Sequence, residues 1–468
     1  MRPVKIVVIG AGSASFGLNA LATLLREPVL RGSTLALVDH NAAGLDLVHR
    51  LAARINEEWD AGLTIESNTD RRAVLDGADF VICSIEVGPR EELWRRDWEI
   101  TLRHGLRQPY AENGGPGGFA HAARNIPPIL DIARDMERLC PHALFVNLSN
   151  PLPRLCRAIA KYTSITPVGL CHQLGYGYGM AGIALAEDIG VEVPAVLLDP
   201  EAPHDRSFWE IARPFQARVR ERVSIKAAGL NHFTWMLDVR DCRSGEDLYP
   251  RLRERFLAAS NEPLTRDMLR LTGWMPVPGD THLSEYLSYT HNPATRPWER
   301  YNLHLYDWDR NARDRDDTWR RIEGLIREGG PDLERLRHAR SEGVFEVVHG
   351  VAGDANLYQD AINGPNNGAV ANLPDHTIVE TPGVISGMGP RPVQVGPLPP
   401  VVAELCRREA ERVEVVVDAA VQGDRTLALQ ALALDPTVDD LDVARAVLDD
   451  YLESYRAHLP QFHGQWSV

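Results

Sequence analysis

The apolar positions of the first 200 residues alternate between short β-branched runs and longer amphipathic ones. Lys5 to Ile9, Thr34 to Val38, Thr64 to Ser67, Phe80 to Ile85, Ala143 to Val146 and Thr166 to Leu170 read as strands. Between them Leu18 to Leu25, Leu45 to Trp59, Glu91 to His104 and Ile126 to Leu139 show the spacing of helices. This alternation predicts an α/β fold, with an N-terminal Rossmann-type doubly wound sheet over residues 1–200. The remainder, 201–468, mixes both periods and predicts an α+β C-terminal domain. Val223 to Leu230 reads as strand, Leu248 to Ala259 as helix, Arg296 to Arg340 as exposed charged helices, and Val401 to Val421 and Asp439 to His458 as helices. Glycine and proline mark two loops. Pro109 to Gly118 is either a rigid cradle of backbone amides or a plain surface turn, and Gly175 to Gly179 is a Gly/Tyr-rich loop.

Composition narrows the partners. At 468 residues, 44% hydrophobic and 25% charged, the chain reads as globular, and a net charge of -15 argues against nucleic acid or an anionic membrane surface. Six cysteines without a CxxC pair predict a reducing compartment. No segment reads as a signal peptide or a membrane span, so a cytoplasmic protein with a small-molecule ligand is expected.

Chemistry concentrates at predicted strand ends. Gly10-Ala11-Gly12-Ser13 follows the first strand and precedes a helix, the context of a dinucleotide turn, and Asp39 ends the second strand where an acid binds ribose hydroxyls. An acid there favours NAD over NADP. Asn147-Leu148-Ser149-Asn150-Pro151 ends the fifth strand, suited either to hydroxyl recognition or to capping the next helix. Cys171 ends the sixth, Asn231-His232 follows a strand about 60 residues on, and then comes Gly279-Asp280-Thr281-His282.

Together with Gly115-Pro116-Gly117-Gly118, Gly229-Leu230-Asn231-His232-Phe233 and Asn366-Asn367-Gly368 with Val379-Glu380, these motifs resemble glycoside hydrolase family 4 over nearly the whole chain. The resemblance implies an NAD- and Mn2+-dependent α-glycosidase of the branch acting on unphosphorylated substrates, assembled as a homodimer or homotetramer. It implies Cys171 and His232 as metal ligands. Gly10, Gly12, Ser13, Phe16, Asp39, Ser84 and Asn150 would meet the cofactor, and Asn150, Asn231 and His282 the sugar. His172 corresponds to the proton donor of this branch. Asp280 corresponds to its base, with Tyr286 and Tyr289 as alternatives. Gln173 differs from the third residues of the galactosidase-, glucosidase- and glucuronidase-like groups, so the motif does not fix the sugar.

The implied reaction oxidises C3 with NAD, removes the C2 proton, eliminates the aglycone at C1, adds water and reduces C3 again with the same NADH. Two other readings compete. An NAD-dependent dehydrogenase of the lactate/malate type would use Arg and a His-Asp pair rather than a thiolate-metal site. A non-catalytic NAD-binding regulator would have no use for a metal.

Overall fold

The structure, a computed structural model, describes residues 1–13, 18–200, 202, 204–339, 341–464 and 466. Its strands are β1 (Lys5–Ile9), β2 (Thr34–Val38), β3 (Thr64–Asn68), β4 (Phe80–Cys83), β5 (Leu144–Asn147), β6 (Pro167–Gly169), β7 (Val223–Leu230), β8 (Phe233–Asp241), β9 (Met275–Pro276), β10 (Leu357–Pro365), β11 (Ile378–Ser386) and β12 (Gly389–Pro392). The first six are parallel in the order β3-β2-β1-β4-β5-β6, the doubly wound arrangement expected from the alternating runs. The sheet continues past them. β10 pairs antiparallel with β6, and β11, β7, β8 and β9 follow, so strands from both halves of the chain form one sheet.

Register places the chemistry. Val38, Ile9, Cys83, Asn147, Gly169, Asn363, Glu380, Gly229 and Thr234 are successive partners in one row across the sheet. Gly10, Asp39, Ser84 and Cys171 lie just beyond it on the parallel strands, and Asn231-His232 is the two-residue link from β7 to β8. Both the dinucleotide turn and the cysteine therefore lie where the carboxyl ends of open parallel sheets present ligands.

Helices cover both faces. On one, Phe119, Ile126 and Phe145 share a core with Val416, Val417 and Tyr451, because Pro400–Gln422, Arg425–Ala433 and Leu441–Ser454 return to the parallel half. On the other, Leu21, Val48 and Val168 pack with Ile322, Leu325 and Val347. A buried ion pair ties the first layer: Arg124 donates to both Asp97 carboxylate oxygens at 2.7 and 2.6 Å, and the Tyr451 hydroxyl donates to the Asp97 carbonyl at 3.0 Å. Among the described residues no helix is long and apolar enough to cross a membrane.

Two glycine-rich segments expected as loops are helical. The helix expected from Ile126 starts at Gly115 and runs to Leu139 with Pro127 and Pro128 inside it. A proline at 127 removes the donor for the Ala123 carbonyl, and Gln461 Nε2 supplies the replacement at 2.7 Å. Gly175 to Gly179 belongs to the helix Gln173–Ala184. A Cβ at Gly177 would stand 3.1 Å from Met236 and Val277 side-chain atoms, and one at Gly182 would overlap Val219. The glycines there serve close packing rather than turning.

Candidate active site

At the dinucleotide end, Gly10 has φ +91°, and a Cβ there would overlap the Ser84 carbonyl. Glycine thus lets the turn after β1 lie against the loop after β4. The Gly12 amide donates to Asp39 Oδ2 at 2.8 Å, and Asp39 also accepts from the Asn41 amide at 2.8 Å, so the acid and the turn are tied together. Ser13 is half-buried beside them. Phe16 lies outside the described residues.

The loops after β4 and β5 are stitched together by Ser149, whose hydroxyl accepts from the Ile85 amide at 2.8 Å and donates to the Ile85 carbonyl at 2.9 Å. Asn147, expected to recognise hydroxyls or cap a helix, does neither. Its amide group donates to the Ser149 carbonyl and accepts from the Ser149 amide, holding its own turn. Asn150 is half-buried next to it.

Cys171 and His232 come together although 61 residues apart: Sγ lies 3.5 Å from Nε2. His232 holds φ +61°, uncommon for a residue with a side chain, and the Gln173 Oε1 accepts its amide at 3.2 Å. Burial first, then the neighbouring charges of His282 and His172, push the His232 pKa well down, so its imidazole is neutral as a metal ligand must be. Burial also raises the Cys171 thiol well above its ordinary value, with Glu342 and Glu380 adding to it. Two donors bound to one ion at about 2.0–2.3 Å stand about 3–4 Å apart, so the pair fits a borderline transition metal. Among the described residues no group of three or more His, Cys, Asp or Glu side chains is placed to hold a metal. Further donors would come from amide or substrate oxygens.

Two histidines flank the pair, each held by a carboxylate, one distant in sequence and one three residues away. His172 Nδ1 lies 2.7 Å from Glu342 Oε1, and the His172 side chain is 69% exposed. Its surroundings oppose the charge, but Glu342 outweighs them and raises the His172 pKa. His282 stacks on His232 with centroids 4.4 Å apart, and its Nδ1 lies 3.0 Å from Glu285 Oε2. The other Glu285 oxygen accepts the amides of Glu112, Asn113 and Gly114 at 2.8, 2.9 and 3.2 Å. The glycine-rich segment read from the sequence as an amide cradle or a surface turn thus has these amides filled by a protein carboxylate.

The groups expected as base are placed differently. Asp280 is buried in the short helix Gly279–Leu283, and its two oxygens accept the amides of Leu264 and Thr265 at 2.7 Å each. It caps the helix Pro263–Thr272, and the side chain of its segment that meets the Cys171–His232 pair is His282. Tyr286 is buried and stacked on Phe233 at 4.8 Å, and burial together with Glu285 raises its phenol well above the ordinary range. Tyr289 is half exposed.

Beneath the pair, Asn231 Nδ2 donates to Glu380 Oε2 at 2.7 Å. Glu285, Glu342 and Glu380 have no local pattern that marks them, and only Glu380 stood in a recognised motif.

The family model described as "Family 4 glycosyl hydrolase" matches residues 5–184, and "Family 4 glycosyl hydrolase C-terminal domain" matches 227–438. An α-glucosidase of Erwinia rhapontici is 30% identical over 92% of this chain and 93% of its own. An α-galactosidase of Bacillus subtilis (strain 168) is 28% identical over 98% of this chain and 99% of its own. The solved structure of a 6-phospho-α-glucosidase from gut microorganisms, in complex with NAD and Mn2+, superposes with a TM-score of 0.78 at 20% identity, covering 98% of this chain and 100% of that one.

Proposed function

Because the chain belongs to the family 4 glycosyl hydrolases, we propose that it hydrolyses unphosphorylated α-glycosides, with NAD at the Gly10–Asp39 end of the sheet rim and Mn2+ on Cys171 and His232. The observation that carries this reading is the 3.5 Å approach of Cys171 to His232 on the same rim as the glycine turn. When bound, NAD supplies a hydride acceptor and donor for sugar C3, and Mn2+ a Lewis acid for the sugar oxygens.

The chain's own groups handle protons and position. Glu342 engages His172 Nδ1 and leaves Nε2 as the nitrogen that delivers a proton to the departing aglycone oxygen. Glu285 engages His282 Nδ1 in the same way, and His282 Nε2, rather than Asp280, takes the proton from C2. Asn150 and Asn231 hold hydroxyls beside the metal pair. The similarity to an α-glucosidase and an α-galactosidase supports the choice of unphosphorylated substrates.

The test is hydrolysis of nitrophenyl α-glucoside, α-galactoside and α-galacturonide, each against a 6-phosphorylated sugar, with NAD, Mn2+ and a thiol reductant. Release from unphosphorylated substrates with NAD in catalytic amount is expected. Activity on the 6-phosphates alone would remove the substrate assignment, and one NADH per sugar would make the protein a dehydrogenase.

A further inference from the structure

Glu380 lies in β11 with 1% of its surface exposed, in register with Asn363 on one side and Gly229 on the other. Its contacts are neutral side chains that donate to it. Asn231 Nδ2 and Asn363 Nδ2 share Oε2 at 2.7 and 3.0 Å, and the Thr234 hydroxyl takes Oε1 at 2.8 Å. Asn363 Nδ2 also reaches the Gly169 carbonyl at 3.3 Å, two residues before Cys171. One carboxylate thus joins β6, β10, β11 and the β7–β8 link, the elements that deliver Cys171 and His232. A carboxylate removed from water is costly unless its hydrogen bonds and its charge are both compensated. Here the hydrogen bonds are made by neutral donors.

The Asn231 amide shows what the arrangement is for. With Nδ2 committed to Glu380, its Oδ1 is left buried and without a protein partner, and the same side chain lies against the Cys171 sulfur. A cysteine sulfur, an imidazole and one unpartnered amide oxygen form a donor set for a divalent cation that prefers mixed ligands, the thiol losing its proton as the cation binds. We infer that Glu380 is the positioning residue of this site: it fixes the Asn231 amide with the oxygen free for the cation or its sugar ligand, and it provides the buried negative charge that a cation on Cys171 and His232 balances. The inference rests on the reading of that pair as a Mn2+ site.

The experiment is Mn2+ titration of the full-length protein followed by the paramagnetic resonance signal of free Mn2+, alongside NAD binding followed by protein fluorescence. Loss of an outer partner of a metal ligand weakens metal binding about 10- to 100-fold. Glu380→Gln and Asn231→Ala should each show a loss in that range. Glu380→Asp, which keeps the charge, should bind Mn2+ more tightly than Glu380→Gln, and NAD affinity should stay unchanged in all. Mn2+ binding by Glu380→Gln or Asn231→Ala within about twofold of the parent chain would overturn the inference while leaving the metal site itself standing. Absence of Mn2+ binding in the parent chain would overturn both.

Discussion

His172 Nδ1 and Glu342 Oε1 are 2.7 Å apart although 170 residues separate them in the chain. Such a contact fixes the tautomer of the imidazole and leaves Nε2 to act. Glu342→Gln should therefore lower kcat about 10- to 100-fold, less than the roughly 100- to 10,000-fold that general acid catalysis itself supplies, because the imidazole remains. The loss should be large for poorly departing aglycones such as sugars and small for nitrophenol, which leaves without a proton. An equal loss on both kinds of substrate in steady-state kinetics would remove His172 as the acid.

Cys171→Ser should abolish Mn2+ binding and reduce turnover by at least about a hundredfold, because a neutral hydroxyl is a poor substitute for thiolate toward a borderline metal. NAD affinity should be retained, since the nucleotide contacts are expected at Gly10, Gly12 and Asp39. Elemental analysis of the dialysed variant and fluorescence titration with NAD check the two halves.

Asp280 and His282 separate structure from chemistry within one segment. Asp280→Asn removes an acceptor of the Leu264 and Thr265 amides and should cost about 0.5–2 kcal/mol of stability, the range for a lost helix cap, with a smaller effect on C2 proton transfer. His282→Asn should leave the melting temperature near that of the parent chain and suppress C2 exchange. A reversed outcome in calorimetry and isotope exchange would return the base to Asp280.

Much of this was legible in the sequence, and the rest was not for physical reasons. The six parallel strands and the turns at Gly10 and Cys171 announce themselves locally, through continuous apolar runs that break at glycine or at a polar residue. Gly115 and Gly177 misled because glycine serves turning and close packing alike, and only the neighbour decides. Glu342, Glu285 and Glu380 reach their partners His172, His282 and Asn231 across 170, 3 and 149 residues. The short span of the second is no clearer than the others, since Glu285 matters through its hold on the amides of 112 to 114, which are set by the fold.

The Glu86 carboxyl gives the acid limb of stability. Its burial would raise its pKa, but His121, Arg90 and Asn125 hold it down at about 2. A carboxyl lowered in the folded state stabilises above its unfolded pKa of about 4.3 and loses that contribution as pH falls toward 2. Glu86→Gln should flatten the decline of thermal stability across that window, by up to about 3 kcal/mol. A decline between pH 4.5 and 2 as steep as that of the parent chain would show that the Glu86 network does not carry it.

Under the proposed function, hydrolysis proceeds by elimination from a 3-keto sugar, with His282 exchanging the C2 proton. Glycosidases that pass through an oxocarbenium ion leave the C2–H bond intact. Turnover of a nitrophenyl α-glycoside in heavy water, with the released sugar read by proton resonance, measures the difference directly. Deuterium at C2, hydrogen largely kept at C3, and loss of the C2 exchange in His282→Asn are expected. Robust turnover giving product with only hydrogen at C2 would contradict it.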